Sequence, residues 1–218
     1  MGDSDFPTLR QLTLDQLSSR LASRDPVPGG GSASALTGAI AAALVGMVGE
    51  LTAGRPDATD HEAVIGDLLT RAGMQVEDLL RLADEDAAAY AQVVSARRLP
   101  RETEGERAIR RATLDAAMVT AAEVPLATAE AAAEVLRLAE RIAPIGNPNA
   151  VSDAGVAAEL ASAAILGAAL NVRINLPFLP AGAELRETAG RRLDQLQEEA
   201  ATSLQAVRAA VSERIPPS

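Results

Sequence analysis

The sequence predicts an all-α fold, a bundle of about six helices, and three observations carry that expectation. Hydrophobic residues fill 48% of the 218 positions but aromatics only 1%, with no Trp, so the apolar mass is Ala, Leu, Val and Ile. Ala and Leu are strong helix formers, and small side chains let helix axes approach closely. Apolar residues recur at steps of three and four over long stretches, the helical period. The interruptions are few, and each is dense in Pro or Gly. With no linker, repeat or low-complexity tail, residues 1–218 read as one helical domain.

Each element follows from a local signal. Thr13-Leu14-Asp15-Gln16 has the form of a capping box. It opens a short helix expected to turn Leu14, Leu17 and Leu21 inward and to end near Ser23. Asp25-Pro26-Val27-Pro28 is extended, because proline disfavours helix at itself and at its predecessor. Three glycines precede a helix from about Ser32 to Thr52, with Gly38, Ala42, Gly46 and Gly49 near one face as a strip for close packing. Gly54-Arg55-Pro56-Asp57 breaks it. A long helix from about Asp60 to Arg97 is stopped by Leu99-Pro100. Thr103 with Glu106 caps the next, which is expected to bend at Pro125 and continue to Ile142. After the loop Pro144-Ile145-Gly146-Asn147-Pro148-Asn149, Ser152-Asp153 opens another apolar helix to about Leu176. The stretch from Pro177 to Pro180 is the last break. Leu185, Ala189, Leu193, Leu196, Ala200, Leu204, Val207 and Val211 then trace an amphipathic stripe.

Thirty acids against twenty bases leave a net charge of −10, and every base is Arg. Nucleic-acid binding needs a basic face to displace counterions, and no basic run supplies one. Anionic membranes are disfavoured on the same ground, while a small anion held by a few local donors is allowed. The absence of Cys excludes disulfides, thiol catalysis and Cys-based metal sites, and suits a reducing cytoplasm. The start Met1-Gly2-Asp3-Ser4-Asp5 is acidic and lacks the order of a signal peptide. Pro26 to Gly49 is uncharged and long enough to span a bilayer. Its Ala, Gly and Ser partition weakly into lipid, and a buried core helix is expected instead.

Function should show where local rules are broken without structural benefit, and four places qualify. In Pro28-Gly29-Gly30-Gly31-Ser32, consecutive glycines lose much chain entropy on ordering. They suit either a flexible connector or a sharp turn presenting N–H groups to an anion or carbonyl at a helix start. In Asp84-Glu85-Asp86, the last acid shares a helical face with Tyr90 and adjoins an Ala run. It is either part of a solvated acidic face or a desolvated carboxyl whose raised pKa suits proton donation. Asn147 and Asn149 with Ser152 and Asp153 serve turns and caps, or a ligand. Asn171 and Asn175 sit four apart near the end of an apolar helix, where buried amides must be satisfied by a loop, a partner subunit or a ligand. His61, the one histidine, lies in a charged helix start and reads as surface. No His or carboxylate spacing suggests a metal. With no serine elbow, nucleophilic catalysis has little support, leaving positioning and carboxylate acid–base chemistry.

Taken in order, these places resemble the formiminotetrahydrofolate cyclodeaminase and methenyltetrahydrofolate cyclohydrolase family over about residues 10 to 210. The matching stretches are Asp25 to Ala35, Asp86-Ala87-Ala88-Ala89-Tyr90 running on to Leu99-Pro100, and Val124-Pro125-Leu126. Gly146-Asn147 with Ser152-Asp153, and Gly167-Ala168 with Asn171-Val172 and Asn175-Leu176, complete them. The resemblance implies a homodimer with the folate site near the subunit contact, and an acid at the position of Asp86 as proton donor. Asp153 is assigned a catalytic role beside it. Pro28, Gly29, Gly30, Gly31, Ser32, Tyr90, Asn147, Asn149, Ser152, Asn171 and Asn175 would line the pocket. The substrate would be a tetrahydrofolate derivative, with no tightly bound cofactor and no metal. Where the family often has Gly followed by basic residues and an aromatic, this chain reads Gly54-Arg55-Pro56-Asp57-Ala58, leaving Arg55 as the one charge there for the folate glutamate tail. The formiminotransferase domain of fused relatives is not among these residues, so substrate would arrive by diffusion. The expected activity is formiminotetrahydrofolate cyclodeaminase. The alternatives are methenyltetrahydrofolate cyclohydrolase and a non-catalytic folate-binding or helical scaffold protein.

Overall fold

The computed structural model describes residues 8–215, and the acidic Met1–Asp5 start lies outside them. Six α-helices account for the architecture: α1 (Leu14–Leu21), α2 (Gly30–Thr52), α3 (Glu62–Arg97), α4 (Glu104–Ile142), α5 (Val151–Asn175) and α6 (Glu184–Arg214). Short connections make consecutive helices antiparallel neighbours. The helices α2, α3, α4 and α5 form a ring in which each packs on the next and α5 closes on α2, while α6 lies across α4 and α5.

Both predicted capping boxes form. The Thr13 hydroxyl accepts from the Gln16 N–H while the Gln16 side chain accepts from the Thr13 N–H, and Thr103 and Glu106 repeat the exchange. The core is built from Ala, Leu, Val and Ile, as composition requires. The small-residue strip of α2 is the surface that α3 uses. A Cβ at Gly49 would come within 2.8 Å of Leu69, and one at Gly38 within 3.1 Å of Leu79.

The expected burial of α1 does not occur. Leu14 is 75% exposed, Leu21 is also exposed, and no residue of α1 is buried. The periodicity gave this helix an apolar side but could not supply a surface for it to meet, and α1 lies off the ring. The helix α4 runs unbroken from Glu104 to Ile142 through Pro125. The carbonyl that Pro125 leaves without its helical donor is taken up elsewhere, at the candidate site.

Candidate functional site

The glycine turn is a helix start aimed at a carboxyl group. Gly29 is extended, and the chain enters α2 at Gly30. The first-turn N–H groups of a helix have no intrahelical partner and carry the positive end of its dipole. Here the Ser32 N–H donates to Asp86 Oδ2 at 2.7 Å. The Ser32 hydroxyl, fully buried, stands 2.8 Å from the same oxygen and 3.0 Å from the Ala83 carbonyl. Gly31 is required by close approach: a Cβ there would sit 2.1 Å from Asp86 Oδ1.

The three acids of the Asp84-Glu85-Asp86 run on α3 divide the work between them. Asp84 accepts the Leu9 N–H at 2.6 Å and pairs with Arg10, anchoring the segment before α1. Glu85 pairs with Arg81 at the surface. Asp86 turns inward, where burial pushes its carboxyl above the ordinary range, opposed by the Ser32 hydroxyl and N–H. Those donors occupy Oδ2. Oδ1 lies against Gly31 and accepts no hydrogen bond among the described residues.

The asparagine pair faces this carboxyl from α5. Asn171 Nδ2 donates to the Gly167 carbonyl at 2.9 Å and lies 3.3 Å from the position of a Cβ at Gly30. Asn175 Nδ2 donates to the Asn171 carbonyl at 3.0 Å and, across to α4, to the Ala121 carbonyl at 2.8 Å. Ala121 is four residues before Pro125, so its carbonyl is the one that proline deprives of an N–H donor. The proline and the asparagine are therefore one device. A helix defect on α4 holds the amide of α5 in place.

Around these groups is a cavity of about 350 Å³ lined by Pro26, Val27, Gly29, Gly30, Gly31, Asp86, Tyr90, Asn171 and Asn175. Ala89, Val93, Arg97, Met118, Ala121, Ile174 and Phe178 complete the wall. The sequence reading missed Val93 and Arg97, although both lie at helical steps from Asp86 and Tyr90. Met118 and Phe178 carried no signal, because only the packing of α4 and the turn after α5 brings them here. Among the described residues, no group of three or more His, Asp or Glu is placed to hold a metal ion.

The remaining predicted site residues stand at the other end of the ring. Asn147 closes the end of α2, its N–H donating to Thr52 Oγ1 at 2.9 Å and its side chain to the Leu51 carbonyl at 3.0 Å. Its Oδ1 accepts the Asn149 N–H, a turn contact. Arg55 is held by Asp57 in a two-point pair at 2.9 Å. Ser152 and Asp153 occupy the first turn of α5. Asp153 and Asn171 are separated by about 27 Å of helix at 1.5 Å per residue. One protomer thus unites the glycine turn, Asp86, Tyr90, Asn171 and Asn175, and keeps Arg55, Asn147, Asn149, Ser152 and Asp153 apart from them.

Comparison with known proteins gives consistent results. The family model described as formiminotransferase-cyclodeaminase matches residues 13–195. A methenyltetrahydrofolate cyclohydrolase of Methylorubrum extorquens is 39% identical over 93% of both chains. The formimidoyltransferase-cyclodeaminase of Rattus norvegicus is 34% identical over 82% of this chain, which spans only 33% of the rat protein. The crystal structure of formiminotetrahydrofolate cyclodeaminase from Thermotoga maritima superposes with a TM-score of 0.83 at 27% identity, covering 94% of this chain and 98% of that one.

Proposed function

The chain belongs to the formiminotransferase-cyclodeaminase family, and from that premise we propose that it is a folate enzyme opening or closing the one-carbon bridge between N5 and N10 of tetrahydrofolate, with Asp86 as the proton carrier. The single observation behind this reading is the partly buried Asp86 carboxyl, which lines the cavity with one oxygen held by Ser32.

Similarity over 93% of both chains to a free-standing cyclohydrolase favours the hydrolytic reaction. Water adds to the methenyl carbon, and its proton passes to Asp86. The resulting tetrahedral carbon is bonded to N5, N10 and a hydroxyl. Protonation of N5 by Asp86 lets the C–N5 bond break, the hydroxyl passes its proton to the Asp86 carboxylate so formed, 10-formyltetrahydrofolate leaves, and Asp86 releases that proton to solvent. Cyclodeaminase chemistry is the second reading, favoured by the fold match to the Thermotoga protein. There N10 attacks the N5-formimino carbon, the N10 proton passes to the former imino nitrogen, and with a further proton from Asp86 that nitrogen departs as ammonia. Both routes pass through one tetrahedral carbon, so the same carboxyl and the same amides serve either.

The methenyl compound absorbs in the near ultraviolet. A cyclohydrolase makes that band decay faster than buffer does, and a cyclodeaminase makes it appear from formiminotetrahydrofolate. If neither occurs, the enzymatic reading fails and a folate-binding scaffold is what is left.

The same reading includes a homodimer. The helices α2 and α5 are apolar on both faces. Their outer side presents Ile40, Met47 and Leu51 beside Val156, Leu166, Leu170 and Ile174, with Leu170 67% exposed. A helix apolar all round is buried in its working state, and a second copy of this surface is self-complementary about a two-fold axis. An axis across α2 sets the Asn147–Asp153 end of one copy beside the Asp86 end of the other. The far-end residues then complete the partner's cavity.

A further inference from the structure

The Asp86 cavity has a second chemical end. Asp86, Tyr90, Val93 and Arg97 follow one another along α3 at steps of four, three and four, so they share one face, and all four line the cavity. The eleven residues from Asp86 to Arg97 span about 16 Å of helix. The wall between them is apolar, formed by Ala89 and Val93 with Met118 and Phe178.

Arg97 forms no ion pair among the described residues. Arg110 donates from α4 to the Arg97 carbonyl, which brings a second guanidinium to the same end. The segment 97–111 holds six arginines and three glutamates in a chain of net charge −10, so the stretch of chain that supplies Arg97 differs in sign from the protein as a whole. A carboxyl, an apolar slot and an unpaired cation, in that order, fit a ligand with a reacting nitrogen, a flat ring and a carboxylate in the same order.

Resting on the folate reading above, we propose that Arg97 is a specificity-determining residue that binds the glutamate carboxylate of the substrate. The aminobenzoyl ring would lie in the slot beside Val93, Met118 and Phe178. From N10 to the glutamate α-carboxylate, an extended substrate measures roughly 10 Å by ordinary bond lengths. Hydrogen bonds at Asp86 and at the guanidinium close the remaining distance. The planar fork of arginine matches a carboxylate at two points. Arg55, the residue that chain order offered for this contact, is already taken by Asp57.

Calorimetry on the purified full chain tests the assignment with two stable analogues, 5-formyltetrahydrofolate and its counterpart lacking the glutamate. Arg97→Ala should weaken the first at least tenfold and leave the second within about twofold, as loss of a charged two-point contact requires. Arg97→Lys should recover part of the loss. In turnover the change should appear in KM, with kcat nearly unchanged. A cation serving only the C-terminal dipole of α3 would leave both affinities as they are. That result, or equal weakening of the two, overturns the proposal. If the wild type binds both analogues but leaves the near-ultraviolet band unchanged, the catalytic reading falls while the affinity comparison still decides the role of Arg97. A wild type that binds neither overturns both.

Discussion

At the scale of single residues, the proposed chemistry depends on how Asp86 is kept protonatable. Asp86→Asn preserves the shape and the contact with the Ser32 N–H but carries no transferable proton. Turnover should fall about 10²–10⁴-fold, the usual worth of a general acid, with the thermal midpoint kept or raised. The sign follows from linkage. The folded carboxyl titrates above its unfolded value, so between the two the native state binds more protons and stability falls as pH rises. Relative to wild type, the Asn variant should therefore gain stability across that window, as paired melts at stepped pH would show. Ser32→Ala removes a hydrogen bond that opposes the shift. The limb of the kcat/KM pH profile set by Asp86 should then move to higher pH, the ascending limb if it first accepts water's proton and the descending limb if it first donates to the amine. Gly31→Ala drives a methyl into Asp86 Oδ1 and should lose activity about as severely as Asp86→Asn, since a misplaced acid is no better than an absent one. The candidacy of Asp86 was legible from its neighbours in sequence. Its choice over Asp84 and Glu85 rested on the face it shares with Tyr90 and on the family resemblance, while the Ser32 donors that hold it were not legible, because only the packing of α2 brings them there.

At the scale of elements, the most informative feature is the coupling of α4 to α5. A proline inside a helix removes an N–H and strands the carbonyl four residues back. In this chain the stranded Ala121 carbonyl receives the Asn175 amide. Asn175→Ala should cost about 1 kcal/mol through an unsatisfied, partly buried carbonyl, and less when Pro125→Ala has already restored a backbone donor. A double-mutant cycle in urea should give a coupling of at least about 0.5 kcal/mol, and independent effects would refute the pairing. Both residues stood out in the sequence as breaches of helical rules. That each breach answers the other was invisible, because 50 positions separate them. The extents of the helices were legible to within a few residues from their caps and breakers. The fate of α1 was not, since an amphipathic pattern states which side seeks cover without stating whether cover exists.

At the scale of the whole molecule, the predictions concern assembly. Leu170→Arg places a charge on the exposed α2/α5 face; on the proposed homodimer, sedimentation should report a dimer for the wild type and monomers for the variant. A composite site adds a sharper test: mixing Asp86→Asn with Asp153→Asn subunits should restore about a quarter of wild-type activity, because random two-fold pairing leaves one intact site in half of the dimers. No recovery would separate the far-end residues from the chemistry. What the sequence by itself determined is local: helical class, caps, breaks, an aromatic-poor core, and a short register of polar residues out of place. Such features depend on neighbours a turn or two away, and the chain order records them directly. Only the tertiary structure decided which of those residues meet. Two motifs flanking opposite ends of a 23-residue helix lie about 35 Å apart at 1.5 Å per residue. Residues as remote in the chain as Ser32 and Asp86, or Ala121 and Asn175, meet because helices pack antiparallel.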